Sequence, residues 1–126
     1  MTPALDVIRI KGLKVETVVG VHAWERKLPR TVVVDIELAC DVARAARSDA
    51  LKDAVDYSAV AQVVSAFIGA QQFQLVETLV ERLAGKLMAD FAAPWVKLEL
   101  HKPGAVPGAA DVSVAIERGQ RIAFKP

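Results

Sequence analysis

Four side chains stand where the sequence could do chemistry. Lys102 opens the run Lys102-Pro103-Gly104-Ala105-Val106-Pro107-Gly108, between two apolar stretches with strand-like alternation. A connection this rich in Pro and Gly is stiff and shaped, so an amine at its base is held by the sheet. Glu25 lies in the polar stretch from Gly20 to Arg30, too long for a tight hairpin turn and suited to a functional or interface loop. Tyr57, the one tyrosine, directly precedes a helical pattern, and Glu77 sits near the start of another, within Leu75-Val76-Glu77-Thr78-Leu79. An amine or a phenol can carry a proton, and a carboxylate can accept two hydrogen bonds at once. Taken singly, each has a plainer explanation. Lys102 reads as a surface lysine before a turn, Glu25 as a solvated charge and Tyr57 as a half-buried ring. Glu77 reads as a carboxylate favoured by a helix N-terminus.

The elements that must position these groups follow from periodicity. Residues 5–18 read as a strand with a defect: Ile8 and Ile10 share one parity, Leu13 and Val15 the other, and Gly12 lies between. A parity change at a glycine predicts a β-bulge. From Thr31 to Val42, Val32, Val34, Ile36 and Leu38 alternate with Val33, Asp35 and Glu37, so the acids belong to the less buried face. A long mixed connection with a short helical turn follows. Ser58 is a candidate helix cap before the stripe Val60, Val63, Val64, Phe67, Ile68, with Gly69 as the stop. A second stripe runs through Val76, Leu79, Val80, Leu83, Leu87 and Phe91, and Pro94 ends it. Two alternating runs, residues 96–100 and 112–116, flank the Lys102 loop, and Arg118-Gly119 begins a polar tail. The order β-β-α-α-β-β predicts an α+β domain over residues 1–126: an antiparallel four-stranded sheet with two helices on one face. Val33 and Ala39 on the other face predict a partner, hence an oligomer.

Composition narrows the class. The chain has 126 residues, 53% apolar and 25% charged, enough for one domain with a real core. A net charge of +1 with dispersed lysines and arginines gives no nucleic-acid footprint. No apolar run approaches a membrane span, and residues 1–6 lack a signal-peptide pattern. The single cysteine, Cys40, cannot form an internal disulfide. A reduced, cytoplasmic location is the default expectation, and Cys40 reads as a packing residue rather than a nucleophile.

Together the pieces match a family. Gly20-Val21-x-x-Trp24-Glu25, Asp56-Tyr57-Ser58, Leu75-Val76-Glu77, Lys102-Pro103-Gly104-Ala105-Val106 and Ile116-Glu117-Arg118-Gly119 agree in order and spacing with the bacterial dihydroneopterin aldolases. The chain resembles that family along nearly all its length. The resemblance implies the tunnelling fold, in rings of four stacked to eight as an oligomeric barrel, with sites between subunits. It implies that Glu77 anchors a pterin, helped by backbone groups near Val76 and, from a neighbouring subunit, near Val55 and Tyr57. It implies a retro-aldol cleavage of 7,8-dihydroneopterin in folate biosynthesis. Lys102 would organise the first proton transfer, Tyr57 would shuttle the proton returned to carbon, and Glu25 would hold the side-chain hydroxyls and a water. Asp56 varies in the family and receives no role. The ring's own C=N bond accepts the electrons, so no cofactor, metal or protein Schiff base is expected.

Other readings share parts of this pattern. C2′ epimerisation, an isomerase activity, could accompany cleavage, because re-forming the bond on the other aldehyde face gives the epimer. A dedicated epimerase of the triphosphate would need cations such as Arg26, Lys27 and Arg30. A zinc-dependent relative would need several His or Cys ligands, whereas His22, His101 and Cys40 have no paired spacing. A Schiff base on Lys102 is chemically possible. A non-enzymatic α+β binding or assembly domain explains the amphipathic pattern, but not Glu25, Tyr57, Glu77 and Lys102 together.

Overall fold

The computed structural model describes residues 4–19, 30–70 and 72–122. Strand β1 (Asp6–Val19) is followed by β2 (Arg30–Cys40), helix α1 (Val42–Ser48), a 3-10 turn (Leu51–Asp53) and α2 (Tyr57–Ala70). A two-residue strand β3 (Gln72–Phe73), α3 (Val76–Asp90), β4 (Trp95–His101) and β5 (Ser113–Gly119) complete the order. β1, β2, β4 and β5 form the expected antiparallel sheet, in that spatial order, and β3 adds to the end of β1 in parallel. Both expected hairpin pairings occur. β3 is too short to leave an alternation in the sequence.

Register follows from side-chain parity. Ile10 faces Ile36 and Leu13 faces Val34, so β1 carries one extra residue there. Gly12 sits in that bulge with φ +72°, and its N–H donates to Asp35 Oδ1 at 2.8 Å. The bulge returns Leu13 and Val15 to the helix side, opposite Val34 and Val32. Val32, Val34, Ile36 and Leu38 are buried, as are Val96, Leu98 and Leu100 beside them. Helix α2 adds Val60, Val64 and Ile68, and α3 adds Leu79, Val80, Leu83, Ala84 and Leu87, closing one core. Thr17 is the buried polar side chain among the described residues; its hydroxyl donates to the Ile68 carbonyl at 2.9 Å. That bond satisfies a carbonyl of the last turn of α2, which has no partner within the helix.

Several local expectations need correction. The cap of α2 is Asp56, not Ser58: Asp56 Oδ1 accepts from the Ala59 N–H at 3.1 Å. Both residue types cap well, and the helix begins early enough to place Ser58 in its first turn. Helix α3 ends at Asp90, well before Pro94, because Ala92 takes a left-handed conformation (φ 49°). The Ala93 N–H then reaches back to Met88 O at 3.1 Å, a Schellman closure built without glycine. Arg118 and Gly119 belong to β5 rather than to a tail. Ala39 is only 3% exposed within the single chain, and Val33 is half-buried. No helix of the described residues is long and apolar enough to cross a membrane.

Candidate functional site

The sheet has two ends, and the candidate residues divide between them. β1 finishes, β2 begins, β4 finishes and β5 begins at one end, where Thr17 pairs with Arg30 and His101 with both Val33 and Ser113. β3 lies there too, beside Val18 and Val19, and α3 starts three residues later. Glu77, Val76 and Lys102 therefore share this end. Glu25 lies outside the described residues.

Helix α3 begins in an unusual way. Its N-cap is Leu75, which makes no side-chain capping bond, and Glu77 is the acid of the first turn. Leucine is a poor cap, and it leaves the first backbone N–H groups of the helix without a side-chain acceptor. An exposed carboxylate beside free helix N–H groups offers acceptors and donors side by side. That array fits a flat heterocycle edge carrying both kinds of group. Lys102 is half-buried at the base of its loop, where its N–H donates to Val112 O at 2.8 Å. Gly104 and Gly108 take positive φ in the turns that follow, as the Pro-Gly pattern requires.

Tyr57 and Val55 are at the opposite end. The 14 residues of α2 carry the chain about 20 Å, from Tyr57 up to the β3 end. Tyr57 is 63% exposed, with exposed Leu51 and Val42 on the same connection. A hollow of about 530 Å3 opens beside them, lined in part by Cys40, Lys52, Val55 and Phe91. Burial, aided by Asp6 and Asp41, raises the Cys40 thiol above its ordinary range, the opposite of a reactive cysteine. A single chain thus brings Glu77, Val76 and Lys102 to one end of the sheet and leaves Tyr57 and Val55 at the other.

One cluster was not legible in the sequence. On the face away from the helices, His101 Nδ1 meets Asp111 Oδ2 at 2.5 Å and His101 Nε2 meets Asp35 Oδ2 at 2.8 Å. Glu99 Oε2 lies 3.9 Å from the same Nε2 and accepts from Ser113 Oγ at 2.9 Å. The bonds to Asp111 and Asp35 raise the imidazole above its ordinary range, against a smaller opposing effect of burial. Burial alone would raise Asp35, but the Gly12 N–H and His101 outweigh it and leave that carboxyl lowered. One ligand-type atom each from Asp35, Glu99 and His101 lies within 4.8 Å of the others, a spacing that could hold a metal ion. Lys11 and Lys97 border a small hollow beside Asp35 and Glu99, and the Lys11 charge helps to lower Asp35. Strand parity puts Asp35 and Glu99 on one face, but only the β2–β4 pairing makes them neighbours.

Known proteins of similar sequence and structure cover most of the chain. The family model described as "FolB: Dihydroneopterin aldolase" matches residues 8–117. The chain is 42% identical to the dihydroneopterin aldolase of Escherichia coli strain K12, covering 94% of this chain and 97% of that protein. Among solved structures, it is similar to E. coli dihydroneopterin aldolase in complex with neopterin, at 43% identity and TM-score 0.88, covering 91% of this chain and all of that one. It is also similar to the Burkholderia enzyme bound to guanine, at 25% identity and TM-score 0.77, covering 91% of each chain.

Proposed function

The chain belongs to the dihydroneopterin aldolase family, and we propose that its own Glu77, Lys102, Tyr57 and Glu25 carry out the reaction of that family. It is a lyase of folate biosynthesis acting on a dihydropterin. Cleavage begins with loss of the proton from the side chain's 2′-hydroxyl. The C1′–C2′ bond then breaks, glycolaldehyde leaves, and the electrons pass into the C=N bond of the ring. A proton returned to C1′ of the resulting enamine gives 6-hydroxymethyl-7,8-dihydropterin. The ring supplies the electron sink, so the protein need only bind, orient and move protons.

Glu77 accepts the paired N–H groups of the pyrimidine edge, and the open N–H groups at the start of α3, around Val76, meet the ring's acceptors. Lys102 organises the first proton transfer, directly or through water, and works best uncharged in that role. Tyr57 carries the proton to carbon, and Glu25 holds the substrate hydroxyls and a water. The observation that carries this reading is the shared sheet end of Glu77 and Lys102, within a chain so similar to a neopterin-binding enzyme.

Tyr57 and Val55 lie at the far end of the same chain, so the reading requires them from a neighbouring subunit. Leu75, Val106 and Val112 are exposed at the Glu77 end, and Val42, Leu51 and Tyr57 at the other. A head-to-tail contact between such unlike apolar ends is heterologous, the kind of interface from which a closed ring can be built. Rings of four stacked to eight, a barrel built from their sheets, a cytoplasmic location and a C2′ epimerase side activity all belong to this proposal. Of the cations a triphosphate epimerase would use, Arg26 and Lys27 lie outside the described residues and Arg30 begins β2.

Glu77→Gln tests the anchor. The amide keeps one acceptor but turns a donor towards the second ring N–H. Loss of one charge-assisted bond is worth about 1.5–3 kcal/mol, so the Kd for neopterin rises at least about tenfold. Lys102→Ala lowers turnover by about 10²–10⁴-fold with little change in Kd. Wild-type affinity in Glu77→Gln, measured by fluorescence titration, rejects the anchor.

A further inference from the structure

His101 is the last residue of β4 and immediately precedes Lys102. Its ring joins the far margin of the Lys102 loop to the neighbouring strand: Nδ1 meets Asp111, one residue before the loop closes at Val112, and Nε2 meets Asp35 on β2. We propose that His101 is a positioning residue for Lys102, its doubly protonated ring tying Asp111 to Asp35 and so fixing the loop that Lys102 begins. The inference rests on the reading that Lys102 takes part in proton transfer.

Three features of the geometry support it. A neutral imidazole can donate from only one nitrogen, whereas the imidazolium donates from both and satisfies both carboxylates. The carboxylates are themselves held. Asp35 takes the Gly12 N–H through its other oxygen, and Glu99, which faces Nε2 from the same strand as His101, takes the Ser113 hydroxyl. The charged groups facing the ring are therefore Asp111 from the loop, Asp35 from β2 and Glu99 from β4. β1 contributes Lys11, whose charge acts on Asp35, and β5 contributes uncharged Ser113. Three carboxylates around one imidazole favour its charged form, in keeping with its raised value. The clamp opens as pH rises through the ring's raised value, and it weakens in acid as Asp35 is protonated.

Hydrogen exchange and kinetics on the full-length oligomer test this in three variants. In His101→Asn, which removes the charge and the second donor nitrogen, protection of the amides of residues 102–112 falls about tenfold. Its kcat falls about tenfold or more through misplacement of Lys102, while the Kd for neopterin stays within about twofold. His101→Arg, a planar cation that bridges carboxylates and does not titrate, restores both protection and kcat. It also abolishes the alkaline fall in kcat that the clamp imposes on the wild type. Lys102→Ala serves as the reference: full turnover there overturns the role given to Lys102 and, with it, that of His101. Wild-type protection in His101→Asn overturns the clamp alone. A fall in kcat without loss of protection, or loss of protection without a fall in kcat, overturns the positioning role.

Discussion

Gly119→Ala is expected to be among the most damaging small substitutions in this chain. Gly119 ends β5 opposite Trp95 with φ +86°. A methyl group there would lie 2.1 Å from the Pro94 carbonyl oxygen and 2.9 Å from Met88 Cε. The methionine can move, but the carbonyl cannot move freely, because it accepts from the Gln120 N–H at 2.9 Å. The left-handed conformation costs a non-glycine residue about 1–2 kcal/mol. Breaking or stretching the Gln120 bond costs about 1 kcal/mol more, and forcing the strand end away from Pro94 adds about 1–3 kcal/mol of overpacking strain. The total is about 3–6 kcal/mol, a large share of a normal domain's stability. Two glycines serve as controls. Gly12 also has positive φ, but nothing lies near its would-be methyl, so Gly12→Ala carries only the conformational part. Gly85 lies exposed within α3 with open space around it, so Gly85→Ala stabilises by up to about 1 kcal/mol. Urea unfolding of the three variants gives the ranking. If Gly119→Ala loses no more stability than Gly12→Ala, the close approach to Pro94 does not determine why glycine stands there.

Thr17→Val keeps shape but removes the donor to the Ile68 carbonyl, and leaving that group unsatisfied in a buried place costs about 1–3 kcal/mol; an unchanged melting temperature would count against it. The Asp35–His101 pair makes a contribution to stability that depends on pH. Asp35, lowered in the folded chain, contributes above about pH 4 and loses this as pH falls through its folded value. His101, raised in the folded chain, contributes fully below about pH 6.5 and loses this as pH rises through its folded value. The stability difference between wild type and His101→Asn is therefore largest between those limits. A difference that does not vary with pH would show that the ring carries no charge there.

Much of this architecture is legible because it is local. Gly12 announces the bulge by swapping the parity of Ile10 and Leu13, and the spacing of Val60, Val64 and Ile68 writes the buried side of α2 directly. Other features depend on choices between near-equals. Asp56 and Ser58 are both good caps, and the backbone entering α2 selects the first. Ala92 ends α3 in a conformation that usually marks itself with glycine. The His101 cluster depends on Asp35, 66 residues away along the chain, and only the β2–β4 pairing brings them together. As for the site, Glu77 and Lys102 are recognisable by residue type and neighbours. That they share a sheet end follows from β3 and the strand order, not from their spacing. The distance of Tyr57 from both is set by the length and direction of α2.

The central claim is that one chain supplies Glu77 and Lys102 while a neighbour supplies Tyr57. Mixing tests this most directly. Lys102→Ala and Tyr57→Phe, each nearly inactive alone, are dissociated, combined in equal amounts and reassembled. If each site draws on two chains, random mixing leaves about a quarter of the sites with both native residues, and turnover recovers to about that fraction of wild type. If both residues act within one chain, no site is restored, and turnover stays at the level of the separate variants.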